Sequence, residues 1–331
     1  MARIDYTSRP MDRIPSPATQ ALVAGFRRRR PLRAGSLLIT LFGDAIAPRG
    51  GAVSLASLIE LAGPFGISEW LVRTSVGRLA REGWLAGRRE RRLSEYSLSE
   101  AGRTRFAEAT LRIYGHGPVK WSGEWTLVLL PQATAAQRRT LRQPLHWLGF
   151  GLLEPGLLAH PACAPDTVRV ALDGKPLSDR AVILRAATGD EAADRRLVGT
   201  GWDLDELAGY YRRFVRQFEP VLRAPPSDPA SAFAARTLLI HEYRRIHLRD
   251  PLLPDELLPP GWIGSAAYDL CRELYARLFA RAEVHLDAVA RRLDGPLPRL
   301  DAGALRRFGG LSLSRAAAGS ARPAGRAVRA G

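Results

Sequence analysis

SEWLVRTSVGRLAREG, residues 68–83, is the stretch on which the fold turns. Ser68 is a good N-cap and Gly83 a good stop, so the spacing predicts a helix between them. At about 100° per residue, Arg73, Gly77, Arg81, Thr74 and Arg78 share one arc of roughly 140°. Val72, Val76, Leu79 and Ala80 fall on the opposite side. Such a helix can bury its apolar stripe against two others and offer its guanidinium groups to guanine O6 and N7 in a major groove. Gly77 would let the backbone approach the duplex. A charged face alone is ordinary on a surface helix, so the flanking sequence has to decide.

Upstream, SLLITLFGDAI (36–46) is an apolar helical stretch ended by Pro48 and Gly50-Gly51. SLASLIELAGPFG (54–66) follows, capped by Ser54, with Leu55, Leu58, Ile59 and Ala62 apolar, and stops at Gly63-Pro64. Downstream, WLAGRRE (84–90) and LSEYSLS (93–99) alternate on either side of a basic tip. Arg88, Arg89, Arg91 and Arg92 are expected to reach phosphates or the minor groove from that hairpin. SEAGRTRFAEATLRIYG (99–115) then leads out as a helix. Three helices followed by a hairpin give a winged helix-turn-helix over residues 34–116.

The charge agrees with this placement. The 331 residues hold 49 Lys+Arg against 33 Asp+Glu, a balance of +16, and every basic residue but Lys120 and Lys175 is Arg. Residues 1–112 carry 19 Arg against 10 acids, residues 302–331 carry 6 Arg and no acid, and the span between them is nearly neutral. A neutral body with one basic domain and a basic tail fits a protein that holds a polyanion at one end. Genomic Arg bias would give the same sum without purpose. Residues 1–33, with scattered Pro and the run Arg27–Arg30, read as a disordered basic arm. Residues 299–331 read as a disordered basic tail.

Between these ends the pattern is α+β and then helical. WTLVLLP (125–131) is a strand-length run, Ala135 to Trp147 is helical, and GLLEPGLLAHP (151–161), VRVAL (168–172) and AVILRA (181–186) follow, the last two as strand candidates. That order suggests a ferredoxin-like domain over 117–200. From Trp202, Asp203 with Glu206 resembles a capping box, and Leu204, Leu207, Tyr211, Phe214, Phe218 and Val221 line one face. Further helices over about 229–249 and 265–293 complete an all-helical C-terminal domain, 201–298. The fold class is therefore α+β and multidomain.

Little in the chain points to catalysis. His241-Glu242 resembles the start of a zinc-hydrolase helix, but the next His is His247, and six residues turn a helix by about 600°, so the rings diverge. His160 and Cys163 have no further ligands nearby to complete a tetrahedral set. Gly50-Gly51 and Gly199-Thr200-Gly201 lack the features of a phosphate loop, and no nucleophile-elbow pattern occurs. No catalytic residue, metal or cofactor is expected. Two cysteines are too few for a disulfide framework. With no membrane-length apolar run and no leader pattern, a cytoplasmic protein is expected.

Residues 36–106, together with WTLVLLP, LHWLGFGLLEPGLLAHP (145–161), GWDLDELAGYYRRFVRQF (201–218) and RTLLIHEYRRIHLRDPLLPDELLPPGW (236–262), resemble in the same order the PaaX family, transcriptional repressors of phenylacetate degradation. The likeness spans about residues 36–290. It implies a homodimeric winged-helix repressor on a palindromic operator, with a Cas2-like central domain. It also implies release from the operator by an aryl-acetyl-coenzyme A, typically phenylacetyl-CoA.

A ligand of that kind wants Arg forks for its phosphates and an apolar aromatic pocket for its aryl group. Arg236, His241, Tyr243, Arg244 and Arg245 on one helix, with Trp202 and Tyr210 as rings, are the expected effector residues. Tyr243 can equally be core and Arg244-Arg245 a solvated face. Two other readings fit the same composition. One is an Arg-rich architectural or RNA-binding protein with an oligomerising body. The other is an acyl-CoA enzyme with an incidental basic domain, which the missing nucleophile and acid-base patterns disfavour.

Overall fold

The computed structural model describes residues 15–115 and 120–311. The chain divides into two compact units, Met1–Ala101 with Ala224–Thr237 and Glu273–Gly331, and Gly102–Arg223 with Leu238–Arg272. The helical region expected as one domain over 201–298 is thus shared between them. Among the described residues no single helix is long and apolar enough to cross a membrane.

The first unit opens with α1 (Pro17–Arg27), where a disordered arm was expected. Ser16 caps it by accepting from the Thr19 amide, Pro17 suits the first turn, and Leu22, Val23 and Phe26 are buried. Phe26 meets the edge of Phe65 at 6.2 Å between ring centroids. The helix is hidden in the sequence because its large apolar residues, Leu22, Val23 and Phe26, sit just before the Arg run. Residues 1–14 of that arm lie outside the described residues.

α2 (Ala34–Leu41) continues into a π-helical turn, Phe42–Ile46. β1 (Ala52–Ser54), α3 (Leu55–Ala62) and α4 (Glu69–Arg81) follow. Ser54 and Ser68 cap the two helices through the amides of Ser57 and Leu71. Between Leu55–Phe65 and Glu69–Arg81 the chain bends by 119°. Gly66 makes that bend in a left-handed conformation, φ +74°. α4 packs on α2 and α3. Val72, Val76 and Leu79 join Leu37, Leu38, Leu58 and Leu61 in the core. β2 (Leu85–Glu90) and β3 (Leu93–Leu98) form a hairpin whose register, Glu90 opposite Leu93, leaves Arg91-Arg92 as a two-residue turn. The antiparallel sheet has the order β1-β3-β2.

The second unit begins within α5 (Glu100–Tyr114). β4 (Trp125–Leu129), α6 (Ala135–Trp147), β5 (Gly151–Glu154), β6 (Leu157–His160), α7 (Pro165–Leu172) and β7 (Val182–Ala186) make a βαββαβ unit with sheet order β5-β6-β4-β7. VRVAL, expected as a strand, lies in α7. Pro165 opens the helix, and Val168 and Leu172, four apart, put one apolar face on the core. One core gathers Val128, Leu141, Leu145, Phe150, Leu158 and Val168. A second holds Trp125, Ala159, Val198, Leu253 and Leu257. α8 (Glu191–Gly201) and α9 (Leu204–Arg223) follow, and α9 buries Leu207, Tyr211, Phe214, Phe218 and Val221 as the periodicity requires.

α10 (Pro229–His247) and α11 (Ile263–Val289) each contribute to both units. The chain closes the first unit with β8 (Arg291–Arg292), β9 (Gly295–Pro296) and α12 (Ala302–Leu305). The expected disordered tail is therefore ordered to Leu311. Its Arg307 is buried, donating to the Asp44 carbonyl at 2.8 Å and to Tyr275 Oη at 2.8 Å. Positions 312–331 lie outside the described residues.

Candidate nucleic-acid interface and ligand cavity

In the first unit, α4 presents Arg73, Thr74, Arg78 and Arg81 on its exposed side and buries Val72, Val76 and Leu79 on the other. The Arg73 guanidinium lies 2.7 Å from Glu69 and that of Arg78 3.0 Å from Glu82, both i,i+4 pairs in water. Such pairs are worth only about 0.3–0.5 kcal/mol each, so a phosphate or base edge can replace the carboxylate at little cost. Arg78 also packs over Gly35, in the space a Cβ there would fill. Arg81 has no ion-pair partner among the described residues. Thr74 donates to the Trp70 carbonyl at 2.8 Å.

Gly77 stands mid-helix, where Gly costs roughly 0.5–1 kcal/mol against Ala, yet nothing inside the protein lies within 4 Å of a Cβ placed there. Packing does not account for this glycine. Sequence reasoning missed Trp70, which is 72% exposed. Three residues before Arg73, it falls at about 60° on the wheel, between Gly77 and Arg81.

At the hairpin, Arg88 lies 3.8 Å from both Glu90 and Glu95. Arg89, Arg91 and Arg92 are exposed, Arg91 with φ +52° in the turn, and no carboxylate pairs with these three among the described residues. A cleft of about 800 Å³ beside them is lined by Arg73, Arg92, Glu60 and Glu69, and also by Arg291 and Arg292 of β8. The last two escaped sequence reasoning because residues to 293 were read as helix. The turn dipeptide Asp294-Gly295 was the available signal.

In the second unit a cavity of about 1100 Å³ opens between α6 and α9. On α6, Arg138, Arg142 and His146 stand four residues apart, one above another on the cavity wall, with Arg139 beside them. Phe150, Trp202, Leu204, Leu207 and Tyr210 supply apolar surface. Trp202 is fixed by its indole N–H donating to the Gly149 carbonyl at 2.9 Å. Tyr210 donates to Glu206 at 2.5 Å and lies under Arg249, 5.9 Å from its ring centroid. Arg112 donates from Nη2 to the Asp250 carbonyl at 2.7 Å, and burial lowers its pKa. Asp250 also accepts from Tyr211 Oη at 2.6 Å.

Of the expected effector residues, Trp202 and Tyr210 line this cavity and the other five do not. Arg236 belongs to the first unit and is wholly buried, 3.0 Å from Asp44 and 2.6 Å from Glu283. His241 and Tyr243 are core, the latter against Phe214 and stacked on His247 at 5.0 Å. Arg244 and Arg245 are half-buried outside the cavity, and Arg245 lies 3.6 Å from Glu242. Three of the five Arg that line the cavity come from α6, a helix whose Arg residues carried no signal beyond a solvated face; Arg112 of α5 and Arg249 supply the others.

His160 accepts from the amides of Ala162 and Cys163 at 2.9 and 2.8 Å, a structural role. Among the described residues no three His, Cys, Asp or Glu side chains gather to hold a metal.

Three family models match the chain: a PaaX-like protein domain over residues 33–102, the PaaX protein central Cas2-like domain over 118–198, and the PaaX-like protein C-terminal domain over 202–288. A transcriptional repressor, PaaX of Escherichia coli K12, is 35% identical over 295 residues, covering 87% of this chain and 93% of its own. Among solved structures, the uncharacterized protein Rv0674 from Mycobacterium tuberculosis matches with a TM-score of 0.48 and 25% identity, over 69% of this chain and 89% of its own.

Proposed function

We propose, for a chain that belongs to the PaaX family of transcriptional repressors, that α4 is the recognition helix of a winged helix-turn-helix and β2–β3 its wing. The observation that carries this reading is the two-sidedness of α4: three exposed Arg and a Thr opposite three fully buried apolar residues. The 119° bend before α4 lies at the upper end of the range for helix-turn-helix pairs. The exposed Arg-Arg turn is the tip a wing needs to meet the backbone.

The protein acts in the cytoplasm as a homodimer on a palindromic operator of an aromatic-acid, phenylacetate-type operon. Two recognition helices then meet half-sites roughly 34 Å apart. An aryl-acetyl-CoA such as phenylacetyl-CoA enters the cavity of the second unit, its phosphates toward Arg138, Arg139 and Arg142 and its aryl group toward Phe150, Trp202 and Tyr210. The ligand releases DNA only through its differential affinity for two states, and turning a 99:1 equilibrium to 1:99 takes about 5.5 kcal/mol. Operator DNA must weaken ligand binding by the same factor.

The test is a footprint of the purified protein on the DNA upstream of its own gene, with and without phenylacetyl-CoA. A discrete protected site that vanishes with the ligand is expected. Uniform coating of any duplex, or release of free CoA, would favour the architectural or the enzymatic alternative.

A further inference from the structure

We infer that the hairpin β8–β9 is a second DNA-backbone contact, and that Arg291 and Arg92 together seat one phosphate in the cleft they line. The inference rests on the reading of α4 as a DNA-binding helix and adds to it a segment far away in the chain.

The first observation is that the hairpin is held firmly. Ser57 Oγ donates to the Val289 carbonyl at 3.1 Å and accepts from the Arg291 amide at 2.9 Å. Glu95, buried in β3, accepts from the Leu293 amide at 2.9 Å. Three hydrogen bonds to α3 and β3 thus fix the backbone on both sides of Arg291, next to β1.

The second observation is the charge of the cleft. Four Arg and two Glu line it, and the carboxylates do not balance them evenly. Arg73 is paired with Glu69, and Arg292 lies 3.1 Å from Asp294 and 3.7 Å from Glu95. Arg92 and Arg291 are exposed, and neither forms an ion pair among the described residues. Arg291 spends one nitrogen on the carbonyls of Asp287 and Ala290 at the end of α11, which orients the guanidinium without neutralising it. Two cations of the cleft thus lack a counter-ion among the described residues, and Glu60, the other lining carboxylate, pairs with neither. A phosphate meets that need, and Arg forks suit its geometry. The cleft is bounded by α4 and the hairpin tip, so a duplex lying along α4 offers its backbone there.

The experiment measures binding of the full chain to a duplex carrying the protected upstream site, to a scrambled duplex and to a single-stranded RNA of equal length, between 50 and 200 mM salt. Arg291→Gln removes the charge and retains a donor for the helix carbonyls. Arg92→Ala removes the partner. Arg299→Ala, exposed on the same segment but outside the cleft, is the control.

Each cleft variant removes one phosphate contact from each subunit of the homodimer, so it is expected to flatten the log-log salt slope by about 1.8 and, referred to 1 M salt, to weaken binding about sixty-fold at 0.1 M on both duplexes alike. The control leaves the slope unchanged. An unchanged slope for Arg291→Gln, while Arg81→Ala still alters base preference, overturns this inference and leaves the α4 reading intact. Failure of the wild-type chain to bind any duplex overturns both. A slope change seen only with single-stranded RNA of equal length overturns the assignment to DNA.

Discussion

Arg236 and Asp44 form an ion pair inside the first unit, Nε to Oδ2 3.0 Å, with side-chain exposures of 0% and 3%. Asp44 is shared with Arg307 at 3.1 Å and accepts from Tyr275 Oη at 2.8 Å. Arg236 passes on to Glu283, which also pairs with Arg49, 2.5 Å away. The result is an alternating chain of charges through the protein interior, where removing one member strands its neighbours. Arg236→Ala should therefore cost about 3–5 kcal/mol, a large share of a typical domain's stability. Urea unfolding followed by circular dichroism measures it. A loss under 1 kcal/mol would mean that water replaces the guanidinium and the network is not structural.

The arginines of α4 should not be equivalent. Arg81, without a carboxylate partner among the described residues, is poised to read a base, and its loss should cost about 1–3 kcal/mol and relax preference at one operator position. Arg89 in the hairpin should weaken all sequences alike. Operator variants titrated against each Ala substitution separate the two behaviours, and a uniform loss for Arg81→Ala would move it to the backbone-contacting class.

Trp70 supplies a large apolar surface at the centre of the polar arc of α4, and an apolar side chain on a recognition helix can contact the thymine methyl group. Trp70→Ala should weaken operator binding, and replacing operator thymines by uracil should weaken the wild type while leaving the variant nearly unaffected. Equal sensitivity of both proteins to uracil would place Trp70 off the bases.

The cavity of the second unit gives a sharper effector test than the helix first expected to form it. Arg139→Ala and Arg142→Ala should each cost about 1.5–3 kcal/mol of phosphate contact and raise the phenylacetyl-CoA concentration needed for operator release at least ten-fold. Arg244→Ala and Arg245→Ala, outside the cavity, should leave that concentration unchanged. The reverse ranking would return the site to α10.

What the sequence made legible was local and periodic. Residues 68–83 were readable because Val72, Val76 and Leu79 recur at helical spacing and Ser68 and Gly83 mark the ends. The core face of α9 was readable for the same reason. α1 was missed because its buried residues are masked by the adjacent Arg run, and Arg307 because nothing local announces that a tail guanidinium will meet Asp44. Arg236 was misread on the same ground. A basic residue beside a Tyr looks like a ligand contact until long-range packing brings two carboxylates to it. The cleft of Arg92 and Arg291 is likewise a product of tertiary structure.

His160 offers a test by pH. Its Nδ1 accepts two amide hydrogens, from Ala162 and Cys163, so a proton there would break both bonds. Burial first, then the charge of Arg112, lowers its pKa from 6.5 to about 4. Between these values the unfolded chain binds the proton and the folded one does not, so this contribution is complete above pH 6.5 and is lost as pH falls toward 4. The shift corresponds to about 3 kcal/mol. His247 and His285 are also lowered by burial and add losses of the same sign. His160→Asn keeps an acceptor for the two amides and cannot titrate. Urea unfolding at pH 7 and pH 5 should therefore show a smaller drop for the variant than for the wild type. Equal drops would mean that the imidazole is already protonated in the folded protein and that the two amides bond elsewhere.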